Sequence, residues 1–338
     1  MGITGHRHAG GDRMNGGGPW RSREREASLE RTGIWLPGGI SGRARDILEG
    51  RRAPVEPRDS ATVMLLRPVA AAGPDEAPLD EAPADEAPAR PEGAAGPGSF
   101  RVYLIRRKAS MAFAPGAFVF PGGSVDPRDA DAEVAWAGPG AARWADALDA
   151  PEDLARALVC AAVRETFEEC GVLLAGPAPG EVVADTRGED WQADRRALVD
   201  RSVSLAGLLR RRGLVLRSDL LKPWARWITP EPESRRFDTR FFAAALPAGQ
   251  RTADVAAETD GEADAAAWLS PSAAIAAARR REILLMPPTA ISLAELAGHG
   301  SVESALAARR ELTPNQPTIS LQDGEPWLDI PPDLEYPL

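Results

Sequence analysis

The chain has 338 residues, 43% of them hydrophobic, enough for one large or two small domains with a real core. A formal net charge of −10 disfavours nonspecific nucleic-acid binding, and no apolar run approaches the ~18 residues of a membrane span. Two cysteines and three histidines leave no disulfide framework, no zinc-ligand spacing and little material for a histidine-based triad.

Residues 1–57 are rich in Gly and Arg without sustained periodicity. They are expected to be a disordered or loosely docked extension, with a short helix from Ser41 to Gly50. The extension lacks the apolar stretch of a secretory signal and the C-terminus lacks a Ser-Lys-Leu address, so a cytoplasmic location is expected. Ser60 to Pro68 reads as a buried-type strand. Residues 70–98 carry three DEAP repeats and seven acids against Arg90, the composition of a solvated loop inserted into a strand connection. Phe100 to Arg106 resumes as a strand expected to pair with Ala61–Leu66. Arg106, Arg107 and Lys108 then either contact substrate phosphate or form a solvated basic turn. Phe118 to Phe120 lead into Pro121-Gly122-Gly123, a turn whose backbone can approach a phosphate closely.

The stretch from Leu154 to Leu174 reads as a helix. Glu165, Glu168 and Glu169 stand at i, i+3 and i+4, so three carboxylates share one face, while Val159, Val163, Phe167 and Cys170 fall opposite. Gly171 suits a C-cap, and Asp149 and Glu152 flank Pro151 in the spacing of a capping box. Like charges this close repel. A hard divalent cation, Mg²⁺ or Mn²⁺, removes the repulsion. For an isolated ExxEE a solvated acidic face is the plainer explanation, and the Pro-Gly-Gly turn upstream shifts the weight to a metal site. Cys160 and Cys170 lie ten residues apart on this helix, ~15 Å by helical rise, and read as small core residues with free thiols.

Gly176 to Gly188 is expected as a loop. Trp191 to Arg212 reads as helical and able to cover one side of the site. Trp224 and Trp227 read as core residues, with an adenine sandwich as the less favoured use. Arg235 and Arg236 are candidates to face substrate phosphate, and Asp238 and Thr239 to shape a turn before a strand at Arg240–Ala245. Helices are expected at Ser272–Arg281, from Pro287 to about Gly298, and at Ser301–Arg310. Residues 313–338 read as a Pro-rich tail, extended or loose.

Gly122-Gly123 followed by Arg164-Glu165-Thr166-Phe167-Glu168-Glu169-Cys170-Gly171-Val172 resembles the Nudix box, G-x5-E-x7-R-E-U-x-E-E-x-G-U, where U is a bulky apolar residue. The second half matches at every defined position. The first half is interrupted by an insertion at 130–149, which leaves Asp129, Glu152 and Asp153 as candidates for the early acid. This divided box, with ATVMLLRP (61–68), RRKASMAFAPGAFVFPGG (106–123), WARWITPEPESRRFDTRFF (224–242) and WLSPSAAI (268–275), is similar to the acyl-coenzyme A diphosphatase branch of the Nudix hydrolases. That branch is typified by a peroxisomal enzyme.

The resemblance implies an α/β fold, an α/β/α sandwich with a mixed sheet over residues 58–312. It implies metal-dependent hydrolysis of the diphosphate in coenzyme A or acyl-CoA, giving 3′,5′-ADP and (acyl-)4′-phosphopantetheine. Glu165, Glu168 and Glu169 would hold Mg²⁺ or Mn²⁺, Arg164 would orient them, and Gly122 and Gly123 would admit the substrate. A later carboxylate would act as general base or extra ligand, with Glu262 the candidate and Glu258 in reserve. ADP-ribose, NADH or another nucleoside diphosphate derivative is the alternative substrate, because members of one fold change substrate through their loops. A nucleotide-binding regulator without turnover is the alternative of another class, and the intact helix acids speak against it.

Overall fold

The computed structural model of the chain describes residues 34–35, 38–69, 100–111, 114–252 and 263–338. The expectations for residues 1–33, for the acidic loop and for Glu258 and Glu262 lie outside the described residues.

The segment ATVMLL is apolar at every second position on both faces except Thr62, which suits a strand covered on two sides. It lies within the strand Arg58–Pro68 at the centre of a mixed sheet. Across the sheet the order is Leu284–Leu285, Ala117–Val119, Phe100–Arg107, Arg58–Pro68, Phe237–Ala245, Leu221–Ile228 and Pro314–Asn315. Ala263–Leu269 adds to Phe100–Arg107, and Gly122–Ser124 adds to Arg58–Pro68. Arg58–Pro68 runs parallel to Phe237–Ala245 and antiparallel to Phe100–Arg107. The expected neighbours are therefore paired, but further along the strand than expected: Leu66–Pro68 lie opposite Val102–Phe100, while Ala61 and Thr62 pair with Gly123 and Gly122.

The period of two divides this strand between two cores. Ala61, Val63 and Leu65 pack with the helix Glu152–Cys170. Met64 and Leu66 pack on the other face with residues of Pro271–Arg279, Pro287–Ala297 and Val302–Ala307. The result is the expected α/β/α sandwich. Each fully buried Leu or Met contributes about 1.5–3 kcal/mol by leaving water.

Several local readings are revised by tertiary context. The predicted helix at Trp191–Arg212 is two helices, Glu189–Val199 and Leu205–Arg212, broken where Arg201 takes φ 62. Asp238 and Thr239 belong to the strand Phe237–Ala245 rather than to a turn. The last helix ends at Ala307, short of Arg310, whose guanidinium stacks 3.8 Å from the Trp224 ring instead. The C-terminal residues, read as extended or loose, form an antiparallel hairpin, Thr318–Gln322 with Glu325–Asp329, that Ile34–Trp35 joins as a third strand. The hairpin itself is local, turning at Asp323-Gly324 with φ 53 and 75, a two-residue turn signal that the expectation of a loose tail passes over; only the third strand comes from the far end of the chain. The short helix expected near Ser41 spans Gly38–Leu48.

The insertion 130–149 forms the short strand Trp136–Ala137 and the helix Ala141–Leu148. Trp144 is buried with its ring edge-on to Phe242, 5.9 Å between centroids. Asp149 closes the helix in the left-handed region and so does not cap the next one. Pro151 is the N-cap of Glu152–Cys170 and makes no side-chain cap bond, so the predicted capping box does not form.

Candidate active site

The helix Glu152–Cys170 is buried along most of its surface, and its alanines let neighbouring elements approach closely. Val159, Val163, Phe167 and Cys170 face the core as the wheel requires. Gly171 ends the helix at φ 67, and its N–H donates to the Phe167 carbonyl at 3.0 Å. Cys160 and Cys170 are free and buried, and burial pushes the Cys160 thiol up to about 12, so neither is poised as a nucleophile.

Arg164 is the hub of the carboxylate cluster. Its Nη1 donates to Glu165 Oε1 at 2.8 Å and to Glu168 Oε1 at 3.2 Å. Its Nη2 donates to the Ser124 carbonyl at 2.9 Å and to Asp129 Oδ2 at 3.0 Å, and its Nε to Asp129 Oδ1 at 3.1 Å. Burial opposes the charge on Arg164, but Glu165, Asp129 and Glu168 outweigh it and raise its pKa further. Asp129 is 3% exposed, on a single 3₁₀ turn at Pro127–Ala130. Asp126 caps that turn, and the Asp126 N–H donates back to Asp129 Oδ2 at 2.9 Å. Of the three candidates for the early acid, the structure brings Asp129 to Arg164 and leaves Glu152 and Asp153 exposed at the helix start. Counting would have found it: Asp129 follows Gly123 at the box's own G-x5 spacing, with Asp in place of Glu.

The glycine pair is required by crowding. A Cβ on Gly122 would collide with the Ala61 carbonyl oxygen, and one on Gly123 with the Glu165 carboxylate. The Gly122 N–H donates to Glu169 Oε2 at 2.7 Å. The turn therefore seats two of the three helix acids as well as lining the cavity.

Among the described residues no three acids converge as a metal cage. Glu165 and Glu168 turn onto Arg164, and Glu169 turns onto the Gly122 amide. The donor set nevertheless fits a hard divalent cation. All three groups are carboxylates on one helix end, and two of them are uncomfortable as anions. Burial pushes Glu165 up to about 7, with Arg164 opposing and Glu168 adding, and burial raises Glu168 likewise.

These acids line a cavity of about 1320 Å³. Gly122, Gly123, Arg107, Arg235 and Arg236 are in its wall, whereas Arg106 and Lys108 are not. Arg106 pairs with Asp264 at 2.6 Å instead. Arg236 is buried, donating to the Thr229 carbonyl at 3.0 Å and the Val55 carbonyl at 2.7 Å, so its guanidinium ties backbone segments together. Arg235 is exposed in the wall beside Arg236, whose carbonyl accepts the Arg58 N–H at 2.9 Å, and Arg58 is also exposed there. Trp227 is buried against the wall, while Trp224 lies in the second core with its Nε1 donating to Glu295 Oε2 at 2.8 Å. The helix Glu189–Val199 covers one side as expected, and Arg195 Nη1 donates to the Glu168 carbonyl at 2.8 Å. Nothing in the local sequence marked Arg195 or Arg201 for this wall: packing of the helix Glu189–Val199 on Glu152–Cys170 places the first, and the break after that helix places the second. None of residues 130–149 lines the cavity, so the insertion braces the back of the helix rather than covering the site.

Comparison with known proteins agrees with this geometry. The NUDT19 Nudix domain family matches residues 140–296. The chain is 28% identical over 274 residues to acyl-coenzyme A diphosphatase NUDT19 of Gallus gallus, covering 70% of this chain and 69% of that protein. It is 31% identical over 256 residues to acyl-coenzyme A diphosphatase NUDT19 of Homo sapiens, covering 63% of this chain and 66% of that protein. A NUDIX hydrolase from Alicyclobacillus acidocaldarius superposes with a TM-score of 0.57 at 26% identity, covering 77% of this chain and 99% of that one. With the divided box assembled around Arg164 on an α/β/α sandwich, the chain belongs to the Nudix hydrolases, in the branch of the NUDT19 Nudix domain.

Proposed function

We propose that the protein hydrolyses the diphosphate of coenzyme A or acyl-CoA, releasing 3′,5′-ADP and (acyl-)4′-phosphopantetheine. The supporting observation is the cavity. At about 1320 Å³ it exceeds the ~300–1,000 Å³ of pockets for drug-sized ligands. Its wall includes both the helix carboxylates and the exposed pair Arg58 and Arg235. A substrate with a diphosphate, a further phosphate on its ribose and a long arm can use both ends. The two relatives named as acyl-coenzyme A diphosphatases support the same substrate.

Glu165, Glu168 and Glu169 are the residues that would hold Mg²⁺ or Mn²⁺. Such an ion, when bound, supplies neutralisation of the diphosphate oxygens and acidifies a water molecule. Arg164 keeps Glu165 and Glu168 on one side of the helix end, and Asp129 keeps Arg164 in place. The oxygen of water joins one phosphorus while the bond from that phosphorus to the bridging oxygen breaks. The bridging oxygen leaves with the other phosphate. The proton released passes to a carboxylate, either Glu262 or one of the helix acids.

Product analysis by mass spectrometry tests the reading, with CoA, acetyl-CoA, ADP-ribose and NADH offered separately with Mg²⁺ or Mn²⁺. Release of 3′,5′-ADP from CoA or its thioester is expected. AMP from ADP-ribose or NADH with CoA untouched would replace the substrate. Tight binding without product would restore the regulator reading.

A further inference from the structure

Arg201 stands where a helix ordinarily places glycine. The helix Glu189–Val199 closes at Asp200, and the Arg201 N–H donates to the Leu198 carbonyl at 2.9 Å with φ 62. A side chain in the left-handed region is disfavoured by contact between Cβ and the backbone, which is why glycine dominates there. The neighbouring helices Glu152–Cys170 and Leu205–Arg212 follow that rule with Gly171 and Gly213, at φ 67 and 63. The conformation by itself requires no ligand, since Arg281 follows the helix Pro271–Arg279 in the same way at φ 63 and lies outside the cavity wall; what sets Arg201 apart is where its loop holds it.

The loop is fixed from both sides. The Ser202 N–H donates to Asp200 Oδ1 at 2.8 Å, and the Val203 N–H to the Ala197 carbonyl at 3.0 Å. The Arg201 carbonyl accepts from Arg128 Nη1 at 2.8 Å. Arg128 is in turn gripped by Asp126, from Nε at 2.9 Å and Nη2 at 2.8 Å. Asp126 caps the turn that carries Asp129, the partner of Arg164. One turn thus positions both the hub arginine and the backbone of Arg201.

The guanidinium itself is left available. Arg201 is exposed and lines the cavity with Glu165, Glu168 and Glu169. Among the described residues it has no ion-pair partner, whereas Arg128, Arg164, Arg195 and Arg236 in the same wall are all engaged. We propose that Arg201 contacts the substrate, its guanidinium binding the diphosphate oxygens beside the helix carboxylates. A planar fork of donors matches phosphate oxygens, and a positioned cation stabilises charge that grows there in the transition state. This rests on the reading above only in requiring a diphosphate ligand.

Arg201→Gly and Arg201→Lys separate this role from a structural one. Glycine relieves the backbone, so Arg201→Gly should melt about 1–3 °C higher than the wild type. Its kcat/KM for CoA should fall roughly tenfold to hundredfold, and its affinity for ADP, measured by calorimetry with Mg²⁺, about tenfold. Arg201→Lys should keep the wild-type melting temperature and recover only part of both losses. An Arg201→Gly protein with wild-type kcat/KM and ADP affinity would overturn the inference, and so would one that melts lower and loses activity in proportion. If the wild type leaves CoA intact, the substrate reading falls. The ADP affinities of the wild type and Arg201→Gly then decide the role of Arg201 by themselves.

Discussion

Asp129 and Arg164 are thirty-five residues apart in sequence, yet the Asp129 carboxylate accepts from both Nε and Nη2 of Arg164, at 3.1 and 3.0 Å. Both partners are almost wholly buried, with side chains 2% and 11% exposed. Removing one partner of a buried pair leaves an uncompensated charge and costs about 3–5 kcal/mol. Asp129→Ala should therefore show a loss of that size in urea unfolding. In a double-mutant cycle, Asp129→Asn and Arg164→Met should be strongly non-additive. Additive losses would show that the two do not act as a unit.

Glu169 separates chemistry from stability. Its Oε2 accepts the Gly122 N–H, and a glutamine oxygen can do the same. Glu169→Gln should melt close to the wild type while turnover falls by about a hundredfold or more, the scale of removing one main electrostatic stabiliser. Steady-state kinetics with either cation would check this. Unchanged turnover would remove Glu169 from the site.

The metal-free protein should lose stability as pH rises. Burial pushes the Glu165 carboxyl up to about 7, above the ordinary 4.5. A group that binds its proton more tightly when folded stabilises the fold fully below the unfolded value, and this contribution is lost as pH rises through the folded one. Melting temperature in the presence of a chelator should thus decline between about pH 4.5 and 8. Mg²⁺ should flatten the decline, as should Glu165→Gln. A chelated protein whose stability rises over that range would contradict the sign.

Trp144 should anchor the inserted segment. Its side chain is 3% exposed against Phe242, and truncation of a buried Trp costs about 3–5 kcal/mol. Trp144→Ala should lose that much in denaturant unfolding, with KM little changed because the insertion does not line the cavity. Trp144→Phe should cost much less. The Trp144 Nε1 has no hydrogen-bond partner among the described residues, so phenylalanine removes an unsatisfied donor along with the lost volume.

Much of the site was legible because its information is local. The spacing of Glu165, Glu168 and Glu169 follows from the helical period. The need for glycine at 122 and 123 follows from where a Cβ cannot go. The long apolar run at residues 61–66 signals a strand covered on both faces before any partner is known. Ser270 followed by Pro271 is a local helix start, and the Ser270 Oγ accepts the Ala273 N–H at 3.2 Å at the head of Pro271–Arg279. Such features depend on neighbours within one turn or one strand, which the order of residues already specifies.

The rest depended on partners that chain order does not bring together. Three acids competed for the place beside Arg164; the spacing from Gly123 marks Asp129, and the return of the Pro127–Ala130 turn against the helix brings it to Arg164 across the insertion. Arg106, Arg107 and Lys108 are consecutive, but strand pleating and an ion pair to Asp264 left only Arg107 in the wall. Arg235 and Arg236 likewise parted, one exposed to the cavity and one buried on the Thr229 and Val55 carbonyls. Arg201 looked like one more charge on a helix until the chain broke there and turned it toward the carboxylates. Sequence by itself determined which chemistry this protein carries, because helix and turn geometry act over a few residues. Only the tertiary structure decided which charges serve it, because a charge's role is set by what is buried beside it.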